Sequence, residues 1–215
     1  MTFFEYGDAE VDYLKSRDPA LGRVIDAVGH INREVTPALY PALISAIVAQ
    51  QISSKAAQTV WGRMTAALGE VTPDVVGALS ADEIQAFGMS LRKATYIAEA
   101  TESIRSGTMD IHALPRLSDA EICRELTRLK GIGVWTAEML MTFSLQRPDI
   151  MSYDDLAIHR GLRMLYHHRA ITKPLFAKYK RRYSPYATVA SLYLWAVAGG
   201  ACPEMRDYAA PNRKG

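Results

Sequence analysis

The twelve residues "LKGIGVWTAEML", 129–140, read as the end of one helix, a break holding two glycines, and the start of another helix. Upstream, "SDAE" (118–121) is a capping box, Ser118 at the N-cap and Glu121 three residues on, and it opens a helix expected to run from Asp119 to near Leu129. Between this helix and one starting by Val134, Gly131 and Gly133 permit positive φ and leave no Cβ to obstruct an approaching surface. The N-terminus of the second helix then offers unpaired N–H groups and the positive end of its dipole, which together accept an anion. A phosphate oxygen fits there without an arginine or lysine, and such a contact holds register without reading sequence. A plain αα-hairpin with a glycine cap also fits the glycines, but it has little need of Trp135 in the first turn.

Outward from the hairpin, helix signals dominate. "VTPALYPALISAIVAQQI" (35–52) predicts a helix with Thr36 as N-cap and Pro37 in its first position, and "SSKAAQTVWGRMTAAL" (53–68) places Ala56, Ala57, Val60, Trp61, Met64 and Leu68 on one stripe. "TPDVVGAL" repeats the Thr-Pro start, "SADE" (80–83) is a second capping box, and "YATVASLYLWAVAG" carries Val189, Leu192, Tyr193 and Ala196 at helical spacing before Gly199-Gly200. Alternating β-branched runs and Asn-Gly turns are nearly absent. The expected fold is all-α, about ten short helices with tight connections. No internal repeat appears and no long linker divides the chain.

The 215 residues suffice for one large domain or two small lobes, and their 49% apolar and 22% charged composition is that of a globular protein. No apolar run reaches the length of a membrane span, so no membrane partner is expected. The opening "MTFFEYGDAEVDYL" lacks a basic n-region and carries acids early, which predicts an intracellular protein, in a bacterial or archaeal cytoplasm or a nucleus. Cys123 and Cys202 lie far apart with no CxxC, which excludes an iron–sulfur cluster and argues against zinc. Net charge is +2, but residues 154–182 hold eight bases, Arg160, Arg163, Arg169, Lys173, Lys178, Lys180, Arg181 and Arg182, against Asp154 and Asp155. Such a segment suits a polyanionic partner, though a solvated helix face is the plainer reading of charge alone.

The hairpin is followed by "SYDDLAIHRGL" (152–162), a carboxylate pair opening another amphipathic helix. Together they resemble the helix-hairpin-helix (HhH-GPD) DNA glycosylase superfamily, and within it the DNA-3-methyladenine glycosylase II branch. "IVAQQISSKAAQTVW", "FGMSLRKATYIAEA" and "YSPYATVASLYLWAV" are similar to that branch's first-lobe helix and turn, middle turn and helix, and closing helix. The resemblance spans about residues 36–200. It implies a single two-lobed domain with the active site in the cleft: one lobe about 36–145, including the hairpin 129–136, the other about 1–35 plus 146–215. The mixed α/β domain of the family's larger bacterial enzymes is not expected, since only about 35 residues precede the first-lobe helix.

The resemblance further implies hydrolysis of the bond joining a damaged base to deoxyribose, with double-stranded DNA as partner and a monomer as the working form. Asp155 falls on the family's essential aspartate, and Asp154 is expected to cap the helix. Where strand-cleaving relatives carry a Schiff-base lysine this chain has Trp135, which implies a monofunctional enzyme whose indole attracts a cationic alkylpurine. Trp195 is a second wall candidate, with Met139 standing where several relatives have tyrosine; Tyr40 and Trp61 are further aromatic candidates whose helical spacing also fits a core. Gln51 aligns best with the residue that fills the gap left by the flipped base, with Gln50 as the alternative; Ser53 lies on the same turn. Phosphate is expected on Gly131, Gly133, Val134, Trp135 and Thr136, with help from Lys130, and His159, one turn after Asp155, is a further phosphate candidate. The main-chain carbonyls of Thr127, Leu129 and Ile132 are expected to hold Na+ or K+; no other cofactor is implied. A glycosylase for deaminated or oxidised bases, a non-catalytic hairpin module that binds DNA, and an all-α scaffold are the alternatives.

Overall fold

The computed structural model describes residues 2–209, so both extreme ends of the expected second lobe lie outside the described residues. In chain order come β1 (Thr2–Phe3), α1 (Asp8–Arg17), α2 (Pro19–Val28) and β2 (Glu34–Val35). Next are α3 (Leu39–Ala49), α4 (Ser54–Leu68), α5 (Pro73–Gly77), α6 (Ala81–Gln85) and α7 (Leu91–Arg105). A 3₁₀ turn at Leu114–Arg116 leads to α8 (Asp119–Leu126) and α9 (Val134–Phe143), then α10 (Leu156–Tyr166), α11 (Lys173–Tyr183) and α12 (Ala187–Ala198). Among the described residues the fold is all-α but for β1 and β2, an antiparallel pair of two residues each. Among the described residues no helix is long and apolar enough to cross a membrane.

The chain divides into two compact units, residues 36–145 and residues 1–35 with 146–215. The first is centred on α3, which packs against α4, α7 and α9 and buries Leu43, Ile44, Ile47 and Val48. Against them lie Met64, Ile97 and Ala137, while Ile84 anchors α6 and Ile122 and Leu126 anchor α8. The second is centred on α12, which packs against α10 and α2.

Local chemistry explains most helix starts. Ser80 and Ser118 form both expected capping boxes, and Thr72 caps α5 with Pro73 in its first turn. Thr36 does not cap α3: its N–H donates to the Phe143 carbonyl at 2.8 Å, and the helix starts after Ala38. Pro41 then falls in the first turn, where its missing N–H costs nothing. The α12 stripe was too narrow a reading: ten of the helix's twelve residues are buried, so it is covered nearly all round. The stripe on α4 is graded, with Val60 and Met64 buried and Trp61 half-buried.

Candidate active site

The hairpin is built as its glycines require, though only one of them uses positive φ. Helix α8 stops at Leu126, and two turn bonds, Leu129 N–H to Leu126 C=O and Ile132 N–H to Leu129 C=O, carry the chain across. Gly131 has φ +84°, whereas Gly133 is the extended N-cap of α9 at φ −89°. The first bond inside α9 runs from Ala137 N–H to Gly133 C=O at 3.0 Å. The N–H groups from Val134 to Thr136 therefore precede the helical ladder, at the positive end of the dipole. Apart from Gly133 itself and its two chain neighbours, no atom lies within 4 Å of a Cβ built there, so the helix end is open to an incoming group.

A pocket of about 420 Å³ opens beside this turn, lined by Ala46, Ala49, Gln50, Gln51, Trp135, Thr136 and Met139. Trp135 is 46% exposed although it is the largest side chain of α9, so the core does not claim it. The pocket thus gathers Trp135, Met139 and both glutamines. Tyr40 and Trp61 do not line it. Tyr40 is a core residue whose hydroxyl bonds the Thr101 hydroxyl at 2.7 Å, and burial pushes its pKa up to about 12. Gln50 donates from Nε2 to the Gly131 carbonyl at 2.7 Å, while Gln51 stands exposed at the tip with φ +56°. Ser53 caps α4, its hydroxyl accepting the Ala56 N–H at 3.2 Å. The ammonium of Lys130 meets Glu99 at 2.8 Å and is held more firmly protonated by that carboxylate, so its charge is already shared.

In the other unit, Asp155 is buried and caps α10, with Oδ1 accepting the N–H groups of Ala157 and Ile158, both at 2.9 Å. This corrects the expectation for Asp154, which is exposed in the preceding turn while its neighbour takes the cap. The segment leading to Asp155 is fastened along its length to α12. Thr188 Oγ1 donates to the Arg147 carbonyl at 2.6 Å and accepts the Ile150 N–H at 2.9 Å. Ser191 Oγ bonds the Ile150 carbonyl, and Asp149 accepts from the Ser184 hydroxyl at 2.6 Å and the Ala187 N–H at 3.2 Å. Leu156, directly after the aspartate, is 82% exposed, an apolar side chain facing out at the N-terminus of α10. Trp195 is half-buried on α12.

Several charged and polar candidates are spent internally. His159 packs its ring edge-on to Tyr153 at 4.8 Å and against Phe176, with Nε2 buried, so it does not face outward as a phosphate ligand does. Arg163 forms a two-pronged pair with Asp207 at 2.7 and 2.6 Å, and Arg182 pairs with Asp18, which removes two members of the basic segment from the surface supply. The residues that sequence reasoning missed are Lys93, whose ammonium bonds the Val48 carbonyl at 2.7 Å, and Tyr96, whose ring lies against Gly131. Both sit in "SLRKATYIAEA", and nothing local to that helix signals either contact.

Comparison with known proteins places the chain in a family. Residues 44–185 match the HhH-GPD superfamily of base excision DNA repair proteins. DNA-3-methyladenine glycosylase 1 of Schizosaccharomyces pombe is 34% identical over 209 residues, covering 94% of this chain and 90% of that protein. The crystal structure of a DNA-3-methyladenine glycosidase from Bacillus halodurans superposes with a TM-score of 0.85 at 34% identity, covering 97% of both chains. The Schizosaccharomyces pombe 3-methyladenine DNA glycosylase in complex with abasic DNA gives 0.77 at 33%, covering 89% of this chain and 97% of that one. The chain belongs to the HhH-GPD superfamily and has its helix-hairpin-helix glycosylase fold.

Proposed function

We propose that the chain is a monofunctional DNA-3-methyladenine glycosylase of base-excision repair, which extrudes alkylated purines of the 3-methyladenine and 7-methylguanine type and hydrolyses their N-glycosidic bond. The observation that carries this reading is the pocket beside the hairpin, with a half-exposed indole in its wall. An indole face attracts a cationic base by about 0.5–2 kcal/mol, a preference that undamaged bases do not enjoy. Flipping costs a few kcal/mol, less where damage weakens pairing.

Asp155 supplies the chemistry. Cleavage builds positive charge on the sugar, which a fixed carboxylate opposes, and the same carboxylate orients or deprotonates the attacking water. Two backbone N–H groups on Oδ1 fix its orientation before substrate arrives. The alkylated base already carries a positive charge and leaves without a general acid. Trp135 in place of a lysine offers no amine for a Schiff base, so the product is an abasic site in an unbroken strand.

The N–H groups of Gly131, Gly133, Val134, Trp135 and Thr136 hold a phosphate, and duplex DNA with damaged bases is the partner of a monomeric enzyme working inside the cell. A monovalent cation suits the hairpin: the carbonyls of Thr127, Leu129 and Ile132 form an oxygen-only donor set of the kind that replaces a hydration shell. The Leu129 carbonyl accepts one N–H and keeps a second lone pair. Such a cation would add positive charge where the phosphate lies.

The test is base release from methylated duplex DNA by wild type and Asp155→Asn, with strands inspected for nicks before alkali. Asparagine keeps the cap, so folding is preserved while release falls about 10²–10³-fold, the scale of one lost electrostatic stabiliser. If neither protein releases a base from methylated, deaminated or oxidised DNA yet both bind duplex equally, the chain is a binding module. Release of only deaminated or oxidised bases assigns another substrate class.

A further inference from the structure

The turn between α3 and α4 carries two adjacent glutamines that the structure treats differently. Gln50 is half-buried and its amide is committed to the Gly131 carbonyl, 81 residues away in sequence. Gln51 is exposed at the tip with φ +56°, a left-handed conformation that a residue with a long side chain holds only where its surroundings enforce it. Two tethers do the enforcing. Lys93 Nζ bonds the Val48 carbonyl at the end of α3, and Gln50 Nε2 bonds Gly131. The carbonyl that Gln50 holds belongs to the residue that carries the hairpin turn, and the Tyr96 ring lies where a Cβ on that residue would stand.

We infer that Gln50 is a positioning residue, which ties the turn presenting Gln51 to the hairpin that grips phosphate. The inference rests on the glycosylase reading above and deepens it. A wedge must enter the duplex at a fixed distance from the phosphate that the hairpin holds, because base pairs are stacked at fixed spacing along that backbone. The tip and the hairpin are separate elements, 81 residues apart in sequence and joined by this bond. The Gln50 bond makes them move as one, so phosphate binding itself sets the depth of Gln51. Gln50 is thereby excluded as the wedge: insertion would strand the Gly131 carbonyl and release the strained tip.

The test uses single-turnover release of 7-methylguanine from two duplexes, one with the lesion paired and one with it opposite an abasic site, where no orphaned base needs a wedge. Wild type, Gln50→Ala, Gln51→Ala and the double variant are compared, with thermal unfolding as the check on folding. Because Gln50 also lines the pocket, Gln50→Ala should lose some activity on both duplexes; the tether shows as a loss about tenfold larger on the paired substrate than on the unpaired one, the scale of one hydrogen bond. Gln51→Ala should behave alike, and the double variant should be no slower than Gln51→Ala, since a tether without a wedge has nothing to place. Equal losses on both substrates, multiplying losses in the double variant, or an unaffected Gln50→Ala each overturn the inference. A wild type that releases no base from either duplex overturns the glycosylase reading itself, and the inference with it.

Discussion

At Gly131 the backbone stands at φ +84°, and a Cβ built there would lie 2.5 Å from Tyr96 Cδ2. Alanine meets two penalties at once: about 1–2 kcal/mol for left-handed backbone and about 1–3 kcal/mol for a ring that must move. Gly131→Ala should therefore destabilise by about 2–5 kcal/mol in urea unfolding. Gly133 faces the opposite case, extended backbone and open space around its missing Cβ. Gly133→Ala should cost under about 1 kcal/mol in stability, yet weaken duplex binding roughly tenfold, because the added methyl stands where a phosphate approaches the helix end. The sequence marks both glycines for the same reason, backbone freedom. What separates them is an aromatic ring 35 positions upstream, a contact that no local pattern encodes. The same blindness left Gln50 and Gln51 unresolved, since the Gly131 partner of one is distant in sequence.

Helix starts were legible where a side chain closes its own turn, as at Ser80 and Ser118, and misread where the choice was tertiary. Of the two acids at 154–155, Asp155 takes the cap because Thr188, Ser191 and Asp149 fix where the preceding segment turns inward, and all of them are bonds between distant parts of the chain. Helix α12 hides its covering for the same reason: small residues such as Ala187, Ala190 and Ser191 look neutral in sequence and prove to be buried. Gly161 is the clearest case. A mid-helix glycine weakens α10 on propensity alone, by about 1 kcal/mol against alanine. A Cβ there would stand 2.4 Å from the Leu194 carbonyl oxygen and 3.1 Å from Leu194 Cα, so the glycine is what lets α10 and α12 meet backbone to backbone. Gly161→Ala should therefore reverse the propensity rule and destabilise by about 3 kcal/mol, because the obstacle is backbone inside a covered helix and cannot rotate away. Urea unfolding checks the sign: a stabilised variant would mean that the two helices do not touch there.

At the scale of the whole chain, one unit is continuous and the other is assembled from segments more than a hundred residues apart, so it depends on bonds that join the two ends. Neither segment alone reveals in its sequence how it is fastened to the other. Asp18 is the fastening with the most consequence. Its Oδ1 caps α2 through the Ala20 and Leu21 N–H groups, while Oδ2 takes the Tyr166 hydroxyl at 2.7 Å and the Arg182 guanidinium at 2.5 Å. Burial by itself would raise this carboxyl, but Arg182, Tyr166 and the Leu21 N–H together hold it below its ordinary value of 3.8. A carboxyl depressed in the folded state is protonated first in the unfolded one, so its contribution is complete above about pH 4 and drains away as pH falls through the folded value. Asp18→Asn keeps an oxygen for the cap and loses the charge, leaving Arg182 unpaired. Because that guanidinium is about a third exposed and can find water, the cost should be about 2–3 kcal/mol at pH 7, below the full penalty for breaking a buried pair. Urea unfolding of wild type and Asp18→Asn between pH 3 and pH 7 measures it. The gap between the two should stay constant down to about pH 4 and then close. A gap that persists unchanged at pH 3 would mean that the asparagine disturbs packing and that the ion pair does not fasten the ends.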